Sequence, residues 1–465
     1  MKRFRKAVSL ILALTAIAGL GTSCTKGGEQ TSGKVELSVG NWPATAGKSL
    51  DDYTKYEVDF EAENPDIDIL PDTWKMDLQT FYPKAEGGMV PNVLIVPYTD
   101  TDKLIQEGYV TDITEKMKEL GWYDMVNPKV KDMVSRDGKL YFIPNNAYAL
   151  GIGYNTELFE QAGLVEADGT PKQPKTWREW AEFAVKIKEA TGKPGIVFCT
   201  TNNCGGWHFT NIAWSYGVDF MEQDKDGKWK ATFNTPECVE ALQFIKDLRW
   251  KYNVITPNIL VNQEEQQKIF ATGGAGMMIT VPDVVDALSS YEMDPKDFGM
   301  VAIPAGPKKQ VSLMGGNSRA LLNVNEAQID AAFKWMDFVG QGYRFDDKVK
   351  ENMRKSKQTA AETGKAIGLI GMSVLGEDTE KYKYTMELAE EFYNMKPNAA
   401  KLYNESLFSK SLEIQPEEPV CAQDLYSVLD NCIQQVLNDE NADCKSIIEK
   451  ANNDFQINYL DNVEY

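Results

Sequence analysis

The sequence predicts an α/β fold, and three segments near its start carry that prediction. Residues 35–39 alternate apolar and polar side chains, as a half-buried strand does. Residues 50–63 place tyrosine, valine and phenylalanine among acidic residues, as an amphipathic helix does, and an Asn-Pro pair follows as a stop. Residues 93–96 are continuously apolar up to Pro97, which is typical of a buried parallel strand. Strand, helix and strand in this order indicate helices layered on a sheet.

The same kinds of pattern predict the elements that follow. Residues 66–70, 141–143 and 149–154 are predicted strands, the last two separated by a Pro-Asn-Asn segment. Thr176 begins a helix, because its side chain is placed to cap the amide of Glu179 and an apolar helical face follows. The remaining predicted elements are strands at 277–281 and 300–303 and helices at 236–252, 264–270, 328–339, 385–403 and 422–455. The C-terminal third is therefore predicted to be mostly helical.

Composition and charge exclude several classes of protein. Of the 465 residues, 43% are hydrophobic and 25% charged, which is ordinary for a soluble protein of two or three domains. The net charge of −20 opposes contact with phosphate backbones, so we expect no nucleic-acid partner. His208 is the one histidine, which excludes sites with two or three histidine ligands. We predict no metal site, no cofactor and no catalytic residue.

The N-terminal segment differs from the rest of the chain. Residues 1–23 combine four basic residues with the apolar run Ala7–Leu20, which is too short to cross a bilayer comfortably. Small residues and then Cys24 follow, as in the bacterial lipoprotein signal, although Gly21 stands where a leucine is usual. We therefore expect a signal peptide over residues 1–23 and lipidation of Cys24, with plain secretion as the alternative. Residues 24–33 are predicted to be a flexible tether.

Five of the six other cysteines fall into two groups. Cys199 and Cys204 bracket a turn-like Thr-Thr-Asn-Asn spacer, so they are expected either to close a small disulfide loop or to remain as half-buried thiols. Cys421, Cys432 and Cys444 lie about three helical turns apart on predicted helix and are expected to be small core residues.

Six segments resemble, in order, those of bacterial extracellular solute-binding proteins that serve sugar-importing ABC transporters. They are Arg136–Pro144 (RDGKLYFIP), Gly153–Gly163 (GYNTELFEQAG), Pro174–Trp180 (PKTWREW), Phe270–Met278 (FATGGAGMM), Phe298–Pro307 (FGMVAIPAGP) and Met314–Ser318 (MGGNS). The resemblance covers about residues 34–340, and the helical tail more loosely. Each motif alone has low specificity, whereas six in order behind a lipoprotein-like leader are specific together.

The resemblance implies a two-lobe periplasmic-binding-protein-like fold with hinge crossovers and a helical C-terminal region. Lobe one is expected to comprise residues 34–145 plus 300–345, and lobe two residues 146–299 plus 346–465. The chain is expected to cross between lobes near Asn146, near Phe298 and within 345–375. A ligand bound between the lobes contacts both, so it stabilises the closed arrangement by its differential affinity for that state.

The function that follows from the resemblance is capture without chemistry. We expect an extracytoplasmic protein, lipid-anchored to the bacterial cell membrane, that binds a neutral oligosaccharide as a monomer and delivers it to ABC-transporter permease subunits. One alternative is the same fold carrying a non-sugar solute, such as a peptide or a polyamine. A less favoured alternative is a secreted glycoside hydrolase or lyase, which would need a pair of carboxylates assembled by the fold.

Candidate ligand residues are aromatic and polar side chains at strand ends, since ring faces cover sugar C–H surfaces and amides or carboxylates bind hydroxyls. They are Trp42, Tyr98, Asn145, Asn146, Tyr148, Trp207, His208, Trp214, Asp283 and Asn317. Trp207 and His208 are expected in a Gly-Gly-Trp-His loop. A core position is the alternative for each aromatic residue, and a helix N-cap is the alternative for Asp283. Trp177, Trp180, Trp250 and Trp335 lie on apolar helical faces and are expected in the core.

Overall fold

The computed structural model describes residues 33–463, and two β-sheets organise this part of the chain. The predicted signal peptide, Cys24 and the tether up to residue 32 lie outside the described residues. The strands are β1 Val35–Val39, β2 Ile67–Pro71, β3 Val93–Pro97, β4 Ser135–Arg136, β5 Lys139–Leu140, β6 Phe142–Ala149, β7 Gly151–Asn155, β8 Met221–Gln223, β9 Trp229–Ala231, β10 Met277–Thr280, β11 Phe298–Ala302, β12 Gln310–Leu321 and β13 Leu412–Gln415.

The helices cover both faces of the sheets and form most of the C-terminal region. They are α1 Lys48–Glu63, α2 Leu78–Glu86, α3 Tyr98–Gln106, α4 Thr114–Glu119, α5 Pro128–Lys131, α6 Thr156–Gln161, α7 Trp177–Thr191, α8 Cys204–Tyr216, α9 Pro236–Trp250, α10 Gln263–Ala271, α11 Val284–Ser290, α12 Glu326–Phe338, α13 Asp347–Glu362, α14 Glu380–Glu391, α15 Lys401–Ser406, α16 Ala422–Asn438 and α17 Cys444–Asn458. The predicted α/β class is confirmed. In the described part of the chain, no helix combines the length and the apolar character needed to cross a membrane.

The first sheet has the strand order β13-β12-β3-β1-β2, and β6 also pairs with β12. β1 runs parallel to β2 and β3, whereas β12 runs antiparallel to β3 and β6. Val93, Leu94 and Val96 of β3 are all at most 1% exposed, which explains the continuous apolar run. Against this sheet, α1 and α12 bring Phe60 and Trp335 into edge-to-face contact at 5.3 Å.

The second sheet places β7 between β10 and β11, with both pairings antiparallel. A Cβ atom at Gly299 would overlap the ring of Tyr154, so glycine is required for this ring to lie across β11. Helix α7 packs Trp177 and Trp180 into the adjoining core, and the Thr176 side chain accepts a hydrogen bond from the Glu179 amide as predicted. The sequence therefore identified the start of this helix correctly.

Trp250 departs from its predicted core position. Its side chain is 36% exposed, and its indole nitrogen donates a hydrogen bond of 2.9 Å to the carbonyl oxygen of Val436. The bond ties the last residue of α9 to α16, and the ring stays partly exposed at the surface of the helical layer. Cys432 and Cys444 are buried as expected, whereas Cys421 is half-buried just before α16.

Two strands, β6 and β12, connect the cores of the two lobes. β6 pairs with β12 in the first sheet and continues directly into β7 of the second. Within β12, Leu313 belongs to the hydrophobic core around α7 and α8, and Met314 belongs to the core around α1 and α12. β11 pairs wholly within the second sheet, so the change of core falls after residue 313 rather than near 300. The division of residues between the lobes remains a proposal.

The segment from 346 to 408 contacts both lobes. Helix α13 lies beside Tyr56 and Phe338 of the first lobe, together with α14. Tyr403 on α15 donates a hydrogen bond of 2.7 Å to the carbonyl oxygen of Ala149, at the junction of the two sheets. The predicted continuous helix over 385–403 is wrong, because α14 ends at Glu391 and a non-helical segment containing Pro397 precedes α15.

Candidate functional site

A cavity of about 430 Å³ lies where β6 passes from one sheet to the other, and we call it the crossover cavity. Four of the predicted ligand residues line it: Asn145, Asn146, Tyr148 and Asp283. The opposite wall is formed by residues 365–374 and by two residues of α13, among them Lys357. The cavity therefore lies at the predicted hinge and combines amides, a phenol, a carboxylate and two ammonium groups, of which that of Lys365 is paired with Asp286 at 2.7 Å.

The three asparagine residues of the prediction meet at one irregularity of the sheet. The Asn145 side-chain amide donates a hydrogen bond of 2.8 Å to Oδ1 of Asn317, and the Asn317 backbone amide donates one of 2.9 Å to Oδ1 of Asn146. The β6–β12 register shifts between Asn317 and Ser318, as at a β-bulge. These bonds fix the asparagine side chains to each other and hold them at the crossover.

Tyr148 occupies a central place in the crossover. A Cβ atom at Gly315 would overlap its ring, so the Gly-Gly pair of β12 makes room for the phenol. Burial, and then the charges of Glu417 and Asp283, raise the pKa of Tyr148 to about 12. The hydroxyl is therefore protonated at neutral pH and available as a hydrogen-bond donor.

Three carboxylates at or near the gap between the lobes were missed by sequence reasoning. Asp100, near the start of α3, belongs to the first lobe, and burial raises its pKa to about 6. Glu417 and Glu418 follow β13 and precede α16 of the second lobe. Burial also raises the pKa of Glu417, and the charge of Asp100 raises it further. The charge of Asp100 on the first lobe thus acts on the Glu417 carboxylate, which precedes α16 of the second lobe.

Glu418 is the most buried of these acids. It is 8% exposed, and its Oε1 accepts a hydrogen bond of 3.0 Å from the indole nitrogen of Trp214. Burial raises its pKa to about 7 despite this bond. No pattern in the sequence distinguishes these acids, since 69 Asp and Glu residues occur along the chain.

The predicted aromatic residues differ in the surface that they offer. Trp42 is 4% exposed and stacks on Trp335 at 5.8 Å, inside the first core. Tyr98 is 3% exposed, and its hydroxyl has no hydrogen-bond partner. Trp214 is 1% exposed, whereas Trp207 remains partly exposed. The core alternative is favoured for Trp42, and the ligand roles of all these residues stay predictions.

Trp207 and His208 lie on a helix, so their predicted loop position is wrong. Helix α8 begins at Cys204, before the Gly-Gly pair. A Cβ atom at Gly206 would overlap the backbone of Tyr426, so glycine allows α16 to approach closely. His208 is 1% exposed and lies against Cys204 rather than on the wall of the crossover cavity.

Asp283 has the position, though not the bond, of a helix cap. It is the N-cap residue of α11, but its side chain makes no capping hydrogen bond. Burial and then the charge of Asp286 raise its pKa. The carboxylate therefore does not cap α11, and it lines the crossover cavity.

Comparison with known proteins agrees with this architecture. Residues 41–341 match the family model described as bacterial extracellular solute-binding protein. A protein of Brucella abortus (strain 2308) that carries a binding-protein name is 26% identical over 343 residues, which span 72% of this chain and 78% of the relative.

Two solved structures share the fold at low sequence identity. The cyclic α-maltosyl-1,6-maltose binding protein of Arthrobacter globiformis has a TM-score of 0.61 at 21% identity, covering 90% of this chain and 98% of its own. UgpB of Mycobacterium tuberculosis in complex with glycerophosphocholine has a TM-score of 0.60 at 17% identity, covering 92% and 98%. The predicted two-lobe fold is thereby confirmed.

Proposed function

Because the chain belongs to the family of bacterial extracellular solute-binding proteins, which serve ABC transporters, we propose that it captures a neutral oligosaccharide between its lobes. It hands this sugar to the permease subunits of an importer and performs no reaction on it. Cys24 carries the lipid that holds the protein at the outer face of the cell membrane. The protein acts as a monomer.

One observation carries the proposal of a neutral solute: the crossover cavity mixes acceptors and donors of hydrogen bonds. Asp283 is an acceptor there, whereas Lys357 and the protonated Tyr148 are donors. Sugar hydroxyls both donate and accept, so they satisfy such a mixture on every side. An anion would face Asp283, and a polycation would face Lys357, at a desolvation cost in either case.

Charges of the two lobes also bear on closure. Asp100 and Glu417 repel each other across the gap, and burial opposes their ionisation. A ligand that donates hydroxyl hydrogen bonds between them lowers this cost and favours the closed arrangement. Binding and closure are therefore thermodynamically coupled.

A cationic solute such as a polyamine is the second candidate, and the same acids favour it. Asp100, Glu417 and Glu418 offer three carboxylates, with Lys103 acting on Asp100 as a neighbouring cation. Binding driven by these charges weakens strongly with salt, whereas binding through sugar hydroxyls does not.

Isothermal titration of the mature protein against neutral oligosaccharides, spermidine and short peptides tests the proposal. We expect saturable one-to-one binding of an oligosaccharide, unchanged between 50 mM and 500 mM salt and without product formation. Asp283→Asn is expected to weaken that binding about tenfold, because the cavity loses a charged acceptor for a sugar hydroxyl. Glu440→Gln, which alters an exposed acid on the helical tail, is expected to leave it unchanged. Salt-sensitive binding of spermidine alone, or cleavage of the sugar, would refute it.

A further inference from the structure

We propose that Cys199, Cys204 and His208 form a binding site for one thiophilic cation, with Zn²⁺ as the reference ion. One ligand atom from each residue lies within 4.8 Å of the other two. All three side chains are buried, at 0%, 6% and 1% exposure. The site is additional to the solute cleft and departs from the sequence expectation of no metal.

The local fold brings the three ligands together. Cys204 is the first residue of α8 and His208 lies four residues later, so both project from one face of the helix. Asn202 and Asn203 have φ angles of 57° and 67°, in the left-handed region, and this reverses the chain. Cys199, at the end of the preceding segment, therefore returns to the same point.

Contacts around the turn hold it in place without a metal. The Asp430 carboxylate accepts hydrogen bonds of 2.7 Å from the backbone amides of Asn203 and of Gly206. The Thr200 amide donates one of 2.8 Å to the carbonyl oxygen of Val261. The positions of Cys204 and Cys199 are thus fixed by neighbours on α16 and on the segment before α10, and the nearby Asp430 carboxylate favours a cation.

The side chains themselves remain incompletely satisfied. Both cysteines are free thiols. Nδ1 of His208 is buried and has no hydrogen-bond partner, and Nε2 lies 4.0 Å from Sγ of Cys204, beyond a strong hydrogen bond. A buried imidazole without full partners is unfavourable, and a cation among these atoms would supply the missing interaction.

The donor set selects the class of cation. Two thiolates and one imidazole are soft ligands that suit Zn²⁺ or Cu⁺ rather than Ca²⁺ or Mg²⁺. Bond lengths of about 2.3 Å to sulfur and about 2.0 Å to nitrogen require the ligand atoms to close to about 3.5–4 Å. Binding Zn²⁺ releases the two thiol protons to solvent and leaves a neutral Zn²⁺–dithiolate unit, as burial demands.

The test uses the mature chain, purified anaerobically with a phosphine reductant, stripped with EDTA, then incubated with Zn²⁺ and desalted. We expect one Zn²⁺ per chain by elemental analysis and a higher melting temperature than that of the stripped chain. Co²⁺ added in place of Zn²⁺ should give thiolate-to-metal absorption. Cys204→Ser and His208→Asn are expected to weaken Zn²⁺ binding at least tenfold. Cys421→Ser, a half-buried cysteine outside the cluster, is the matched control and should bind Zn²⁺ as the unsubstituted chain does.

Two outcomes would overturn the site. One is failure of the unsubstituted reduced chain to bind Zn²⁺ or to show the Co²⁺ spectrum, a readout that does not depend on the folding of any variant. The other is a Cys199–Cys204 disulfide, seen as a crosslinked peptide, in protein purified without reductant from its extracytoplasmic location. Solute titration of the same samples shows separately whether the proposed solute binding holds, whatever the result for Zn²⁺.

Discussion

At the scale of single residues, the site consists of polar groups held at partial burial. Amides at the crossover are bonded to each other, as in the contact of Asn145 with Asn317. Acids of the gap have raised pKa values because burial penalises their charged form, most strongly for Glu418. The desolvation cost of these groups is already met in the folded protein, so less of it remains when they form hydrogen bonds to a solute.

Glu418 gives a prediction about pH. Its pKa in the folded protein, about 7, exceeds that of the unfolded chain, so its ionisation destabilises the fold progressively between about pH 4.5 and pH 7. Glu418→Gln removes this penalty and keeps an acceptor for Trp214. We expect the variant to unfold with nearly unchanged free energy at pH 4.5 and to be about 2 kcal/mol more stable than the unsubstituted protein at pH 8.

Urea unfolding across this pH range measures the difference. The control is Glu413→Gln, five residues earlier on β13, where the carboxylate forms a surface ion pair with Lys309. This variant should show no such pH-dependent gain. Parallel stability curves for Glu418→Gln and the unsubstituted protein would contradict the assignment of the penalty to Glu418.

Lys357 gives a prediction about affinity. It lines the crossover cavity, and burial lowers its pKa, which indicates that the ammonium group is incompletely hydrated. Lys357→Gln is expected to weaken solute binding about tenfold, because a charge-assisted hydrogen bond to a hydroxyl is lost. Lys355→Gln, two residues away on the exposed face of α13, should leave the dissociation constant unchanged in the same titration. Equal affinities for both variants would place the solute elsewhere.

At the scale of elements, the sequence predicted the strands and helices in which buried side chains form a regular apolar pattern. β1 and β3 were recognised from alternation and from a continuous apolar run, and α7 from its cap at Thr176. α13 was missed because most of its residues are charged or polar and none is buried, so its apolar pattern is weak. Lys357 was missed with it. Asp100 and Glu417 lie among many acids, and only the fold brings them together.

The contact between α8 and α16 gives a prediction at this scale. Gly206 lies so close to the Tyr426 backbone that a methyl group has no room, and backbone cannot move aside as a side chain does. Gly206→Ala is expected to lower the free energy of unfolding by about 3 kcal/mol. Gly33→Ala, where the space around the new methyl is open, is the control in urea unfolding. A stable Gly206→Ala protein would mean that the two helices are further apart.

At the scale of the whole molecule, the proposed function requires two lobes that share the solute. The sequence predicted the fold because several weakly specific segments occurred in family order, and the family match over residues 41–341 supports it. Positions of individual ligand residues were harder to predict. Trp42 follows a strand, as a ligand platform does, yet it packs on Trp335 in the core, since both situations call for a large aromatic residue.

The proposed membrane anchor gives a prediction of its own. In cells that make the full chain, Cys24→Ala is expected to move the protein from the membrane fraction to the medium or periplasm, because the lipid attachment site is lost. Cys421→Ser should remain with the membrane. Detergent phase separation followed by immunoblotting measures the distribution, and an unchanged membrane fraction for Cys24→Ala would contradict anchoring at this residue.

Native mass spectrometry of the mature protein in a competitive solute mixture tests the central claim most directly. The mixture contains equal concentrations of neutral oligosaccharides, glycerophosphocholine, spermidine and short peptides, so the retained adduct identifies the preferred solute class in a single spectrum. We predict a one-to-one complex with a neutral oligosaccharide of unaltered mass. A complex with any of the other solutes in its place, or recovery of the protein with no adduct, would contradict the account.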